Sequence, residues 1–131
     1  MQIPPRSAVA IITNGSKFLL GKSTASDFRK GKWTFVGGGI DYWRGEDPVG
    51  AAVREAREES NSTVIPISEP FTVGARKDIV FIVCKYIEGL IIPNSEFHLM
   101  GWFDWDKLPV ECLEQTVVII NGIKTGEIKI I

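Results

Sequence analysis

Neither sign of charge dominates this chain: 15 lysines and arginines stand against 16 aspartates and glutamates, for a net charge of −1. Near-neutrality argues against a protein held on nucleic acid or an anionic membrane by bulk charge, so no stable nucleic-acid binding is expected. Histidine is scarce as well, His98 being the only one, and the two cysteines, Cys84 and Cys112, lie far apart with no Cys-x-x-Cys pair. Zinc is therefore a poor expectation, and two reduced thiols in a cytoplasmic protein a better one. No apolar run approaches the roughly 20 residues of a membrane span, and the first residues lack the basic-then-apolar layout of a signal peptide. Both absences point to the cytoplasm and to no membrane partner. Repeats, linkers and low-complexity tracts are missing too, and with 44% apolar residues the chain is expected to form a single domain over residues 1–131.

What the chain does have is concentrated in residues 37–61, GGGIDYWRGEDPVGAAVREAREESN. Pro48 suits the first position of a helix, and Asp47 before it suits the N-cap, so a helix is predicted from about 48 to 60. At roughly 100° per residue, Val49, Ala52, Val53 and Ala56 form the apolar stripe. Glu55, Glu58 and Glu59 share the adjacent arc. Like charges at this spacing cost an isolated helix roughly 0.2–0.5 kcal/mol per pair, and Arg54 can offset only part of that by pairing with Glu58. Arg57 points away. A hard, oxygen-seeking cation such as Mg²⁺ would neutralise the rest. An acidic helix face is more often simply solvated; the glycines at 37–39, Glu46 and the helix stop at Asn61 together favour the metal.

These residues resemble the signature of the Nudix family: a glycine, a glutamate, seven intervening residues, then Arg-Glu-apolar-x-Glu-Glu-x-Gly-apolar. Glu46, Arg54, Glu55, Ala56, Glu58 and Glu59 match in type and spacing. Three departures stand out. The gap from Gly38 to Glu46 is two residues longer than in the usual pattern, so Tyr42, Trp43 and Arg44 extend the loop. Asn61 replaces the closing glycine and Ser62 the apolar residue after it. Val36 stands where many relatives have proline. Asparagine tolerates the left-handed backbone of a helix end better than most residues, so the change at 61 is mild.

Along the rest of the chain, residues 7–13 and 17–21 read as strands joined at Asn14-Gly15, a hairpin signal. Residues 22–32 read as an exposed loop, and 33–36 as a short strand delivering the glycines. Residues 64–70 are a connection or short strand, and 71–75 and 79–86 are strands flanking Arg76-Lys77-Asp78. A loop over 88–101, a short strand at 102–104 and a turn at Leu108-Pro109 follow. Residues 111–120 read as a second helix or a strand, and 126–131 as a closing strand. This pattern suggests an α/β fold with a mixed sheet covered by helices, and the resemblance implies a Nudix-type α/β/α sandwich.

The resemblance also implies a function: Mg²⁺-dependent cleavage of the pyrophosphate link in a nucleoside diphosphate joined to another moiety, with Mn²⁺ as an alternative ion. A nucleoside triphosphate, nucleotide sugar or ADP-ribose type of substrate would fit. On this reading Glu55, Glu58 and Glu59 are metal ligands, Gly37 adds a carbonyl, and Arg54 orients the carboxylates while Glu46 steadies the loop. The glycines at 37–39 would let backbone approach the ion, or serve a tight turn needing positive φ. Glu96, in the 88–101 loop, is a candidate base or additional ligand, with Glu88 as its competitor; His98 is given no role. For substrate contacts, Lys22 and Arg29 are candidates for phosphate, and Trp43 for a base or sugar. Trp33 and Trp102 have the neighbours of core residues. A catalytically weak Nudix domain that senses a nucleotide or binds a protein is the alternative, although such domains commonly lose signature glutamates that are all present here. A prenyl-diphosphate isomerase would use an additional catalytic cysteine, which no motif supports. A homodimer is left open.

Overall fold

The segment SAVAIIT, Ser7–Thr13 (β1), is apolar on both sides, as a strand covered on both faces requires. Ala8, Ala10 and Ile12 pack into one core, while Ile11, joined by Val9, packs into another. The same alternation runs through Arg76–Glu88 (β7), where Val80, Ile82 and Cys84 face one side and Phe81 and Val83 the other. In this computed structural model, which describes residues 3–130, β1 and β7 pair in parallel at the centre of a mixed sheet. Lys17–Ser23 (β2), Trp33–Thr34 (β3), Val36–Gly39 (β4), Thr63–Pro66 (β5), Phe71–Val73 (β6) and Phe97–Asp104 (β8) complete it. The path runs β3-β2-β1-β7-β5, with β4 on β1, β6 on β7 and β8 on β2.

Two helices cover the two faces. Pro48–Ser60 (α1) contributes Ala51, Ala52 and Ala56 to the first core, and Glu114–Thr125 (α2) contributes Ile119 and Ile120 to the second. The fold is thus the expected α/β/α sandwich. Trp33 meets Phe103 edge-on in one core and Tyr86 meets Trp102 in the other, so both tryptophans are core residues. Cys84 and Cys112 pack on opposite faces, and burial pushes their thiols up to about 12 and about 11. Among the described residues no helix is long and apolar enough to cross a membrane.

Helix α1 has the predicted bounds. Gly50 N donates to the Asp47 side chain at 2.7 Å, Pro48 opens the first turn, and Asn61 closes the helix at φ 57°, ψ 32°. The Asn61 side chain also donates to Leu90 O at 3.0 Å. Both Asn61→Gly and Asn61→Val lose that exposed bond, but the left-handed backbone penalises only valine, so Asn61→Val should be about 1–2 kcal/mol less stable than Asn61→Gly. Asn61→Gly should stay close to wild type. Equal melting temperatures for the two variants would contradict a left-handed helix stop.

Several sequence expectations are corrected. Gly37, Gly38 and Gly39 are not a turn and none has positive φ; they form β4 beside Ser7–Val9 of β1. The loop after β7 ends at Phe97 rather than 101, because residues 97 to 104 pair with β2. The turn between β6 and β7 lies at Gly74-Ala75, so Arg76, Lys77 and Asp78 already belong to β7. The second helix starts at Glu114 rather than 111: Trp33 N donates to Glu111 O, and Leu113 N donates to Trp33 O, which holds that stretch extended. It ends at Gly126, and no strand follows through Ile130; Ile131 lies outside the described residues. Instead Ile128 N folds back to Gly122 O at 2.9 Å.

Candidate active site

The inward face of α1 is rotated from the predicted stripe. Val49 and Val53 are only half-buried, whereas Glu55 and Glu59 are 9% and 7% exposed, on the buried side beside Ala52 and Ala56. Glycine in β4 makes this burial feasible. A Cβ on Gly38 would lie 2.6 Å from Glu55 Cδ, so the absent side chain leaves the space a carboxylate fills. One residue earlier, Gly37 N donates to Glu59 Oε1 at 2.8 Å. The glycines thus receive the glutamates of α1.

Arg54 ties the rest together. Its guanidinium, 20% exposed, donates to Glu46 at 2.7 and 2.9 Å, to Glu55 at 3.0 Å, to Glu58 at 3.1 Å and to Gly39 O at 2.8 Å. Arg57 points away and donates to Thr63. Glu46 also accepts from Asp41 N at 2.9 Å, which pins the extended loop with its 3₁₀ turn at Tyr42–Arg44 onto α1. The Arg54 guanidinium, then the Asp41 amide, hold the Glu46 carboxyl at about 2. A carboxylate with a lowered folded pKa stabilises above its ordinary value and loses that contribution as pH falls through the folded one. The stability advantage of wild type over Glu46→Gln should therefore be present at pH 6 and shrink as pH drops from about 4.5 toward 2, as acid titration of both proteins by circular dichroism will read.

Glu59 has the opposite environment. Burial, then its contact with Glu96, then the nearby Glu55, hold its proton well above the usual carboxylate range; the Gly37 amide works against them. Burial likewise raises Glu55, against the pull of Arg54. Glu59 thus touches both Glu55 and Glu96, a row of three carboxyl groups with too little cation to balance them. Glu58 is different, its side chain 55% exposed and, among the described residues, held by Arg54 alone.

Glu59 and Glu96 share the wall of a cavity of about 670 Å³ with Gly37, Gly38, Phe28 and Arg29. Arg29 is clamped by Asp27 at 2.8 to 3.2 Å, within the field of Glu59 and Glu96. The other expected substrate contacts stand apart from the cavity. Lys22 lies 3.8 Å from Glu111, and Trp43 is 81% exposed on the 3₁₀ turn with Arg44 over its ring at 5.3 Å. Glu88, opposite Thr63 at the end of β7, and the exposed His98 do not line the cavity either.

Some site residues escaped the sequence reading. Asn94 donates to Glu59 O, while its Oδ1 accepts from the Glu96 and Phe97 amides at 2.9 and 3.1 Å, so it fixes the loop of Glu96 on the end of α1. The Asn-x-Glu-Phe spacing of such a turn was the available signal. Asp27, Arg6, Arg76 and Asp78 gave no local signal of a shared site.

The donor set suits a hard divalent cation: carboxylate oxygens, no sulfur, no imidazole. Among the described residues no three acidic, cysteine or histidine side chains already converge on one point. Arg54 draws Glu55 and Glu58 toward itself, and Gly37 N holds Glu59. The row of buried Glu55 and Glu59 with the exposed Glu96 is nonetheless short of positive charge, the condition a cation would relieve.

Comparison with known proteins agrees with this geometry. The NUDIX domain profile matches residues 3–118. A MutT NUDIX hydrolase from Burkholderia pseudomallei is 22% identical, with 92% of this chain and 98% of that one covered at a TM-score of 0.64. An Ap4A hydrolase from C. elegans is 20% identical over 92% and 96% of the chains (TM-score 0.70), and an ADP-ribose pyrophosphatase from Streptococcus suis 24% identical over 93% and 92% (TM-score 0.64). The chain also spans 66% of the length of a UDP-X diphosphatase structure, at 19% identity over 97% of its own length and a TM-score of 0.68. Among curated protein sequences none matches significantly. With the profile covering most of its length, the chain belongs to the NUDIX domain family.

Proposed function

We propose that this Nudix hydrolase cleaves the pyrophosphate link of a nucleoside diphosphate joined to another moiety, with Mg²⁺, or Mn²⁺ in its place, as the cofactor. The row of carboxyl groups Glu55, Glu59 and Glu96, with Glu59 and Glu96 on the cavity wall and Glu55 against Gly38, is the observation that carries the proposal. Glu55, Glu58, Glu59 and the Gly37 carbonyl are the ligand set. Bound divalent ions would neutralise phosphoryl oxygens and lower the pKa of an attacking water.

The chain supplies the rest. Arg54 holds Glu55 and Glu58 in place, and Glu46 holds Arg54. Glu96, on a loop held by Asn94, would orient or deprotonate the water at its carboxylate. Arg29 is preset by Asp27 to meet a phosphate on the same wall. The structural neighbours named for UDP-X, Ap4A and ADP-ribose suggest the substrate class, each a nucleoside carrying a phosphoric anhydride.

A panel of nucleoside triphosphates, ADP-ribose, nucleotide sugars and dinucleoside polyphosphates, assayed by phosphate-coupled release with and without Mg²⁺, tests the proposal. Turnover of at least one member in Mg²⁺, abolished by chelation, is expected. Nucleotide binding without turnover of any member would favour the sensing module instead.

A further inference from the structure

Away from Glu59, the same cavity carries two arginines that the hydrolytic reading does not use. Arg6 donates to Asp78 Oδ2 from Nη2 at 3.0 Å and from Nε at 3.3 Å. Arg76 donates to the same carboxylate from Nε at 2.8 Å and from Nη2 at 2.9 Å. Both arginines line the cavity at its open side, their side chains 75% and 56% exposed, with Asp78 the least exposed of the three. Among the described residues the Nη1 group of each takes no partner. Two guanidiniums on one carboxylate leave a net positive charge, and with Nε and Nη2 given to Asp78 the Nη1 group of each is left to donate to a phosphate oxygen. The Arg76 and Arg6 donors keep the Asp78 carboxyl far below the ordinary carboxylate range, so the arrangement stays charged at any working pH.

The position of the pair sets the kind of substrate. Gly37, which receives Glu59, pairs with Val9 in β1, and Arg6 lies three residues upstream. At the rise of a strand that is about 10 Å. Val9, Ile79 and Phe81 give the cavity an apolar stretch, with Ser7 beside Arg6. A nucleoside therefore fits the middle, with its anhydride at the carboxylates and any further anionic group at the arginines.

We infer that Arg6 and Arg76, held by Asp78, form a clamp selecting substrates that carry a second phosphate remote from the anhydride to be cleaved; the substrate preference rests on the hydrolase reading above. The clamp recognises that phosphate and takes no part in the bond cleavage. Affinity is thus gained without a change in kcat.

Two matched pairs test this, each differing only by a phosphate on the ribose: NADP⁺ against NAD⁺, and coenzyme A against dephospho-coenzyme A. In Mg²⁺ the wild type should show at least tenfold higher kcat/KM for the phosphorylated member of at least one pair. In Arg6→Gln/Arg76→Gln that ratio should fall to near one through KM, with kcat retained. Arg76→Gln alone, which keeps the Arg6–Asp78 pair, should lower the ratio at least threefold and serves if the double variant melts early. Calorimetry with adenosine 2′,5′-bisphosphate, adenosine 3′,5′-bisphosphate and 5′-AMP reads the clamp without turnover, and a bisphosphate should bind the wild type at least tenfold tighter than the monophosphate. Hydrolysis with no preference in either assay would overturn the clamp and leave the hydrolase reading standing. Bisphosphate preference lost in the variants, with no hydrolysis of any anhydride, would support the clamp and overturn the hydrolase reading.

Discussion

Arg54→Ala should lose both stability and activity, with kcat down at least tenfold. One guanidinium serves Glu46, Glu55, Glu58 and the Gly39 carbonyl, so its removal strands two largely buried carboxylates at once. Breaking a fully buried pair costs roughly 3–5 kcal/mol, and the 20% exposure of Arg54 reduces that to about 2–3 kcal/mol. Arg54→Lys should recover part of the stability but little activity, since an ammonium cannot span three carboxylates in one plane. Thermal melts and steady-state kinetics on the two variants check this. An alanine variant with wild-type melting temperature and kcat would mean that the observed network neither holds α1 to the loop nor orients its glutamates.

The largest catalytic losses are expected at Glu58 and Glu59. Glu59→Gln keeps an oxygen to accept the Gly37 amide and, like the protonated carboxyl that burial and Glu96 favour, carries no charge beside Glu55 and Glu96, so the metal-free protein should be no less stable than wild type. Its kcat should nevertheless fall by at least about 100-fold, because a lost ligand removes transition-state stabilisation of several kcal/mol. Glu58, more exposed, should show a similar loss of kcat with still less effect on folding. Turnover near wild type by both variants in saturating Mg²⁺ would refute their assignment as metal ligands.

Local chemistry made α1 legible in the sequence. Asp47, Pro48 and Asn61 each act through a few neighbouring backbone atoms, so residue type and spacing suffice to place both helix ends. The core positions of Trp33 and Trp102 were legible for a similar reason, from their apolar neighbours. The role of Gly38 was not: a glycine run serves a turn or a close approach equally well, and only the packing of α1 on β4 shows that a carboxylate occupies the space. The rotated face of α1 has the same origin. Periodicity assigned the outer edge to the glutamates, whereas β4 accepts two of them inside. Strand β8 was read partly as loop because residues 97 to 100 mix His98 with apolar neighbours, and their pairing with β2 is a contact distant in sequence. Arg6 likewise reaches Asp78 across 72 residues of chain.

The central claim is that the carboxylates of α1 bind a divalent cation. Calorimetric titration of the protein with Mn²⁺, without substrate, tests it most directly when wild type is compared with Glu55→Gln/Glu59→Gln at equal melting temperature. Saturable binding by wild type, displaced by Mg²⁺ and lost in the double variant, is the predicted result. Equal binding by the two proteins, or none by wild type at millimolar metal, would contradict it.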